Sequence, residues 1–196
     1  MRRLLLCGAL ITLAPATLVA QQGAGTRLTL EFGAARFHGG VRDTSATPVY
    51  IRPSRPTLMT LRLSGARFGV ALTIAGSATG YSQGTIALTQ GGDLTLVELA
   101  PEVRHSLAAT AAGGRLIIHA GPLLDLWKLN GGSSVARAGA HAGASLELPI
   151  TERLGLSLRG DAAITGSQLA DTDLTPDLSQ HTMWRTRVGI GAEYRL

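Results

Sequence analysis

Apolar and polar residues alternate along the last stretch of the chain, from Trp184 to Leu196. One set of alternating positions suits a hydrocarbon environment, and the other set carries charged residues and glycines. The apolar set is Val188, Ile190, Ala192, Tyr194 and Leu196, and the polar set is Arg185, Arg187, Gly189, Gly191, Glu193 and Arg195. A period of two residues is typical of a β-strand whose two faces lie in different surroundings. This stretch therefore predicts a strand with one apolar and one polar face.

The same alternation recurs in earlier segments and predicts eight strands in all. The earlier segments are 27–34, 57–63, 68–76, 94–105, 115–127, 134–148 and 154–164. The connections alternate between short turns and the long segments 38–56, 77–93 and 165–182. Their glycines, prolines and charges predict loops at 38–56 and 165–182, whereas 77–93 is interpreted as a hairpin of strands three and four that projects beyond a membrane. A change of phase between Leu96 and Val97 predicts a β-bulge.

This pattern resembles the small eight-stranded outer-membrane β-barrels typified by the OmpA membrane domain and OmpX. The resemblance rests on the strand number, the order of the connections and the terminal strand. It implies an all-β, antiparallel, up-and-down transmembrane barrel in the outer membrane of a Gram-negative-type envelope, with both termini in the periplasm. In that family the last residue is usually aromatic, so Leu196 is a departure, and Tyr194 partly takes that place.

The first twenty residues have the composition of a secretory signal. Arg2 and Arg3 precede the apolar segment 4–13, and small residues precede an expected cut after Ala20. We therefore expect 1–20 to be a signal peptide and 21–196 to be the barrel domain. The single cysteine, Cys7, lies in the signal, which excludes a disulfide or thiolate site in the rest of the chain. The net charge of +5 comes from scattered arginines that alternate with acids, so nucleic acid is not an expected partner.

The polar faces of the predicted strands indicate what would fill the barrel. An eight-stranded barrel has an interior only wide enough for side chains, and charges buried there need partners. We therefore expect interlocking ion pairs, which argue against a general porin. The predicted lumen network is Glu31, Arg62, Glu98, Glu102, Arg104, His119, Asp125, Arg137, His141, Glu147, Arg159, Asp161, Arg185, Arg187 and Glu193. Four aromatic residues near strand ends are expected at the membrane interfaces: Phe37, Phe68, Trp184 and Tyr194.

Two histidines are the candidates for a metal site. Folding strand five on strand six about residue 131 makes His119 and His141 diagonal neighbours, and folding strand six on strand seven about residue 151 sets Asp161 opposite His141. Two imidazoles and a carboxylate could bind a transition metal. The interpretation that we favour is a hydrogen-bonded plug in the lumen, so we predict no metal and no cofactor.

The functional prediction is a non-enzymatic, monomeric barrel in contact with outer-membrane lipid. Its role would be structural or adhesive, through a surface ligand bound by 38–56, 77–93 and 165–182. Two alternatives stay open: a lipid A-modifying outer-membrane enzyme, and a soluble periplasmic lipocalin-like barrel with its apolar face inside. Ser179 and His181 share the last long connection, but a flexible loop would give no geometry for activating a nucleophile, so no catalytic residue is predicted.

Overall fold

Eight antiparallel strands, each hydrogen-bonded to the next, close into a barrel in this computed structural model. The structure describes residues 25–44, 49–83, 86–109, 113–130, 133–169, 174 and 176–196, so the predicted signal segment lies outside the described residues. The strands are β1 (Arg27–Asp43), β2 (Tyr50–Ser64), β3 (Phe68–Gln83), β4 (Ile86–Ala109), β5 (Arg115–Leu129), β6 (Ser134–Pro149), β7 (Leu154–Thr165) and β8 (Leu178–Arg195). β8 pairs with β1, which closes the sheet. The predicted fold is confirmed.

The outer wall of the barrel is apolar and the lumen is charged. Phe32, Leu72 and Val188 are 53%, 44% and 67% exposed on the outside, whereas the inward Asp125 is fully buried. The outward apolar side chains run from Phe68 to Ile74 on β3 and from Leu116 to Leu126 on β5. These lengths are comparable with the roughly 9–11 residues with which a tilted strand crosses a bilayer. A soluble barrel would show the reverse arrangement. Among the described residues, no helix has the length and apolar character needed to cross a membrane.

Strands replace much of the predicted loop structure. β1 continues to Asp43 and β2 begins at Tyr50, so the prediction that 38–56 is a loop was wrong. The glycines and prolines are accommodated by shifts of register in the β1–β2 and β2–β3 pairs, and Gly39 and Gly40 have φ angles of 74° and 99° that favour glycine. Likewise β8 already begins at Leu178, inside the predicted loop 165–182. The segment 77–93 forms the projecting β3–β4 hairpin as predicted, with 84–85 outside the described residues.

The predicted bulge between Leu96 and Val97 was wrong. Both residues pair in continuous register with β3 and β5. Leu94 and Leu96 instead point into the lumen, on the same face as Glu98. The inward positions of β4 are thus apolar at Leu94 and Leu96 and charged from Glu98 onward, which gives the sequence an apparent change of phase. These leucines belong to an apolar layer whose members are Phe37, Leu58, Ala75, Leu94, Leu96, Trp127 and Met183.

The aromatic residues divide between the lumen and the membrane interfaces. Phe37 is 3% exposed and packs edge-on against Trp127 with ring centroids 5.7 Å apart, so its predicted interface position was wrong. Phe68 and Tyr194 are 68% and 40% exposed near the ends of their strands, and Trp184 is 56% exposed beside the end of β7, where it pairs with Ile164. Aromatic residues at membrane interfaces are exposed in this way.

The barrel wall has a gap where β7 ends. β7 stops at Thr165, but β6 and β8 both continue beyond it on the same side of the barrel. β6 pairs with β7 only from Ala140 onward, so 134–139 have no strand partner on that side among the described residues. This leaves an opening between 134–139 of β6 and the first part of β8, which we call the lateral notch. It lies at the distal end of the barrel, opposite the terminal end where Arg27 and Arg195 lie.

Candidate functional site

The charged side chains of the lumen form one continuous network, which begins at the terminal end. Glu147 pairs there with Arg27, Arg104 and Arg115. Arg27 also reaches Glu193, with 3.0 Å between Nε and Oε1. Arg115 was not among the predicted network residues. Its position opposite Glu147 in the β5–β6 register is the signal that would have identified it.

Glu102 is the centre of the network in the middle of the lumen. Its Oε2 lies 2.6 Å from Nη2 of Arg159, and its Oε1 lies 3.5 Å from Nε of Arg62. Arg62 in turn pairs with Glu31 at 2.9 Å, and Nε of Arg159 donates to Oδ2 of Asp161 at 2.8 Å. Since Glu102 also contacts Arg104, the middle of the network is continuous with its terminal end.

The network continues toward the distal end through two arginines of β8. Nε of Arg187 lies 3.1 Å from Oδ2 of Asp161, and its Nη1 lies 2.9 Å from Oε1 of Glu98. Arg185 bridges Glu98 and Asp125, with 3.0 Å between Nη1 and Oδ2 of Asp125. A buried charge without a partner costs several kcal/mol. The equal numbers of arginines and acids in this network leave no such charge among them.

His119 and His141 lie side by side in the lumen, with ring centroids 6.1 Å apart. The pairing of β5 with β6 makes them diagonal neighbours, in the register deduced from the sequence. Asp161, however, lies opposite Gly143 and not opposite His141 as predicted, because the β6–β7 turn is centred about one residue further along the chain. The carboxylate therefore approaches His119, with 2.7 Å between Oδ1 and Nε2, and lies 3.7 Å from Nδ1 of His141.

The side chains around these histidines include a group that could bind a metal ion. The carboxylates of Glu102 and of the neighbouring Asp161, however, already accept hydrogen bonds from arginines. Donor atoms of Glu102, His119 and His141 all lie within 4.8 Å of one another. Glu102 accepts from Arg159, and Asp161 accepts from both Arg159 and Arg187. A divalent cation here would have to displace guanidinium groups. The geometry is that of an ion-paired, hydrogen-bonded plug.

Arg137 differs from the other arginines predicted to face the lumen, because no described carboxylate lies within salt-bridge distance of it. Asp125 is its register partner across β5 and β6 but pairs with Arg185 instead. Nε of Arg137 donates to the carbonyl of Ser167 at 2.9 Å, and Nη2 donates to the carbonyl of Leu169 at 2.9 Å. Nη2 also donates to Oε1 of Gln180 at 3.1 Å. The described groups that hold Arg137 in place are therefore all uncharged.

A cleft of about 430 Å³ occupies the lateral notch. Its apolar side is formed by Ala138 and Ile164, which belong to the outer wall of the barrel. Its polar side is formed by Arg137, Thr165, Ser167, Gln180, His181 and Thr182. The cleft thus joins the outer wall to a fixed positive charge.

Ser179 and His181 lie on β8, and the expectation that they occupy a flexible loop was wrong. The Ser179 hydroxyl lies 3.1 Å from Nε2 of His181, and both residues are at the surface. A serine activated for nucleophilic attack needs a base that a third group orients. Within the described part of the chain, no carboxylate is hydrogen-bonded to His181.

The closed eight-stranded barrel, the apolar outer wall and the charged lumen define the small outer-membrane β-barrels. The fold is of that class, and the location it specifies is the outer membrane. Among solved structures, Neisserial surface protein A is 12% identical, with 89% of this chain and all of that chain covered and a TM-score of 0.60. A major outer membrane protein from Thermus thermophilus is 14% identical, with 87% and 99% covered and a TM-score of 0.47. Ail of Yersinia pestis is 14% identical, with 87% and 99% covered and a TM-score of 0.44.

These likenesses concern the fold alone, since identity is this low. No protein-family model and no curated protein sequence matches the chain.

Proposed function

We propose that this chain is a non-enzymatic, monomeric outer-membrane protein that binds a surface ligand through strands projecting from the cell. The observation that carries the proposal is the length of β1 to β4 beyond the apolar outer wall. On β3 that wall ends at Ile74, but the strand continues to Gln83. At ~3.3 Å per residue, this is roughly 30 Å of further strand. A long, regular sheet outside the membrane is more than a closed barrel needs for its own stability.

The filled lumen supports a binding role over a transport role. The ion-paired network occupies the lumen from the terminal end to Asp125, and the apolar layer lies toward the distal end. With both termini in the periplasm, as proposed here, the projecting strands face the outside. The external surface is then the part of the molecule available to a partner.

A shortened hairpin tests this proposal. Deleting 79–90 joins Ala78 to Gly91-Gly92-Asp93, which places a two-glycine turn between the register partners Ala78 and Asp93. The wild type and this variant, produced at equal level in the same cells, are compared for attachment to immobilised glycans and extracellular-matrix proteins. We expect the wild type to confer attachment and the variant to lose it.

The folding control for that experiment is the gel mobility of the unheated protein. A folded barrel migrates faster before boiling, and the shortened variant should retain this behaviour. Equal attachment by a folded variant and the wild type, or no attachment by the wild type, would refute the adhesive role.

Hydrolysis of a membrane lipid is the second candidate function, and the hydrogen bond between Ser179 and His181 favours it. The pair lies at the distal end of β8, next to the cleft that His181 lines. It ranks second because the described residues supply no group that orients the histidine. The test is mass spectrometry of outer-membrane lipids from cells that produce the wild type or Ser179→Ala. A lipid change that is present only with the wild type would establish the hydrolase, and identical lipids would exclude it.

A further inference from the structure

We infer that the lateral notch binds a phosphate group carried by a lipid of the outer leaflet. The inference rests on the proposed orientation, which puts the notch at the external membrane boundary. It does not depend on the adhesive role of the projecting strands.

Arg137 supplies the charge that a phosphate needs. Nε and Nη2 are used by the carbonyls of Ser167 and Leu169 and by Gln180, which hold the guanidinium in one orientation. Nη1 makes no hydrogen bond to a described residue, and Arg137 lines the cleft. A guanidinium that is held in place and paired with no described carboxylate is a strong donor for phosphate oxygens.

The local sequence places this arginine in the cleft. Gly166 packs against its side chain, and a Cβ on this glycine would lie 2.8 Å from Cδ of Arg137. Any larger residue at 166 would therefore displace the arginine side chain. Gly166, directly after β7, thus leaves the room that Arg137 needs to lie in the cleft.

The apolar side of the cleft indicates that the phosphate belongs to a lipid. Ile164 is 38% exposed on the outer wall, and Ala138 faces the same way on β6. Trp184, the register partner of Ile164, is 56% exposed, in the manner of aromatic residues at a membrane interface. An acyl chain can lie along this wall while its phosphate reaches Arg137. A free phosphate would use only the polar side.

The test is a calorimetric titration of the folded protein in maltoside micelles. Three probes are compared: a bis-phosphorylated diglucosamine lipid, its dephosphorylated form, and inorganic phosphate. We expect saturable one-site binding of the phosphorylated lipid, and binding weaker by roughly tenfold or more for the other two probes, because neither combines charge with acyl chains.

Three substitutions locate the site. Arg137→Gln should weaken binding of the phosphorylated lipid by roughly tenfold or more, because it removes the charge. Lys128→Gln is the matched control, since it removes one exposed positive charge from the distal end of β5, outside the cleft, and should leave the affinity unchanged. Ala138→Trp fills the cleft from the outer wall without altering the arginine, and should abolish binding even if Arg137→Gln does not fold.

Three results would overturn the inference. They are wild-type protein that binds no phosphorylated probe, a folded Arg137→Gln or Ala138→Trp variant with wild-type affinity, and inorganic phosphate that binds as tightly as the lipid. The last result would identify a free phosphate as the ligand. Because the hairpin deletion leaves the notch intact, failure of the attachment experiment and failure of this titration are separate results.

Discussion

Arg185 shows, at the scale of one residue, how the barrel tolerates charge in its interior. Its side chain is 2% exposed and contacts Glu98 and Asp125, whose side chains are 1% and 0% exposed. Removing one partner of a buried ion pair leaves the other charge without compensation. Glu98 is also contacted by Arg187, whereas Arg185 is the one described arginine that contacts Asp125, so its loss would leave the Asp125 carboxylate without a described cation.

Replacing Arg185 with methionine should therefore destabilise the barrel strongly. We expect Arg185→Met to lower the free energy of unfolding by about 3–5 kcal/mol. The measurement is urea unfolding in phospholipid vesicles, followed by tryptophan fluorescence. Arg153→Met, at the exposed turn between β6 and β7, is the control and should stay near the wild type. Equal unfolding curves for the two variants would show that the buried pairs contribute nothing to stability.

At the scale of the strand, glycines on β6 and β7 decide how closely the lumen can be packed. Gly143 faces inward between Gly160 and His119, and a Cβ there would lie 2.2 Å from the Gly160 carbonyl and 2.6 Å from Nε2 of His119. At Gly160 itself, an added Cβ would meet nothing within 4 Å. Two glycines on adjacent strands thus differ completely in the space around them.

Alanine substitutions at these two glycines should have opposite outcomes. Gly143→Ala should lower the free energy of unfolding by about 1–3 kcal/mol or more, because backbone and histidine must both move. Gly160→Ala should be neutral or slightly stabilising, since it reduces the entropy of the unfolded chain. Unfolding in vesicles measures both. A Gly143→Ala barrel as stable as the wild type would mean that the lumen is packed less tightly than described.

For the whole molecule, two successive layers close the lumen. The charged network fills it from the terminal end, and the apolar layer that includes Trp127 closes it toward the distal end. An eight-stranded barrel leaves no further space once its inward side chains are in place. The closure is redundant, because either layer alone would block an aqueous path.

The folded protein should therefore conduct no ions across a planar bilayer. We expect no channel steps from the wild type, and none from Trp127→Ala, because the ion-paired network still fills the lumen beneath the altered layer. A general porin in the same bilayer is the positive control. Steps that appear reproducibly with the wild type would exclude a closed barrel, and steps only with Trp127→Ala would show that the apolar layer alone closes the lumen.

The alternating pattern by itself determined the number of strands and which residues share a face, because a period of two residues is a local property. It left open whether the apolar face points outward or into a soluble barrel, which the exposed positions of the structure decide. The same locality explains the error at 38–56. Glycine and proline indicate loops when they are considered alone, whereas in the barrel neighbouring strands continue the hydrogen bonding past Gly39 and Pro53 by local shifts of register.

Only the tertiary structure decided which charges meet. A turn centred one residue later on β6–β7 moves Asp161 from His141 to Gly143, because each residue of displacement at an antiparallel turn shifts the register by two. Whether Arg137 joins the ion pairs depends on where β7 stops and on which partner Asp125 finds across the lumen, neither of which has a local signal. The sequence specifies the strands, and closure of the barrel specifies their pairing, since contacts between distant residues exist only after the sheet has closed.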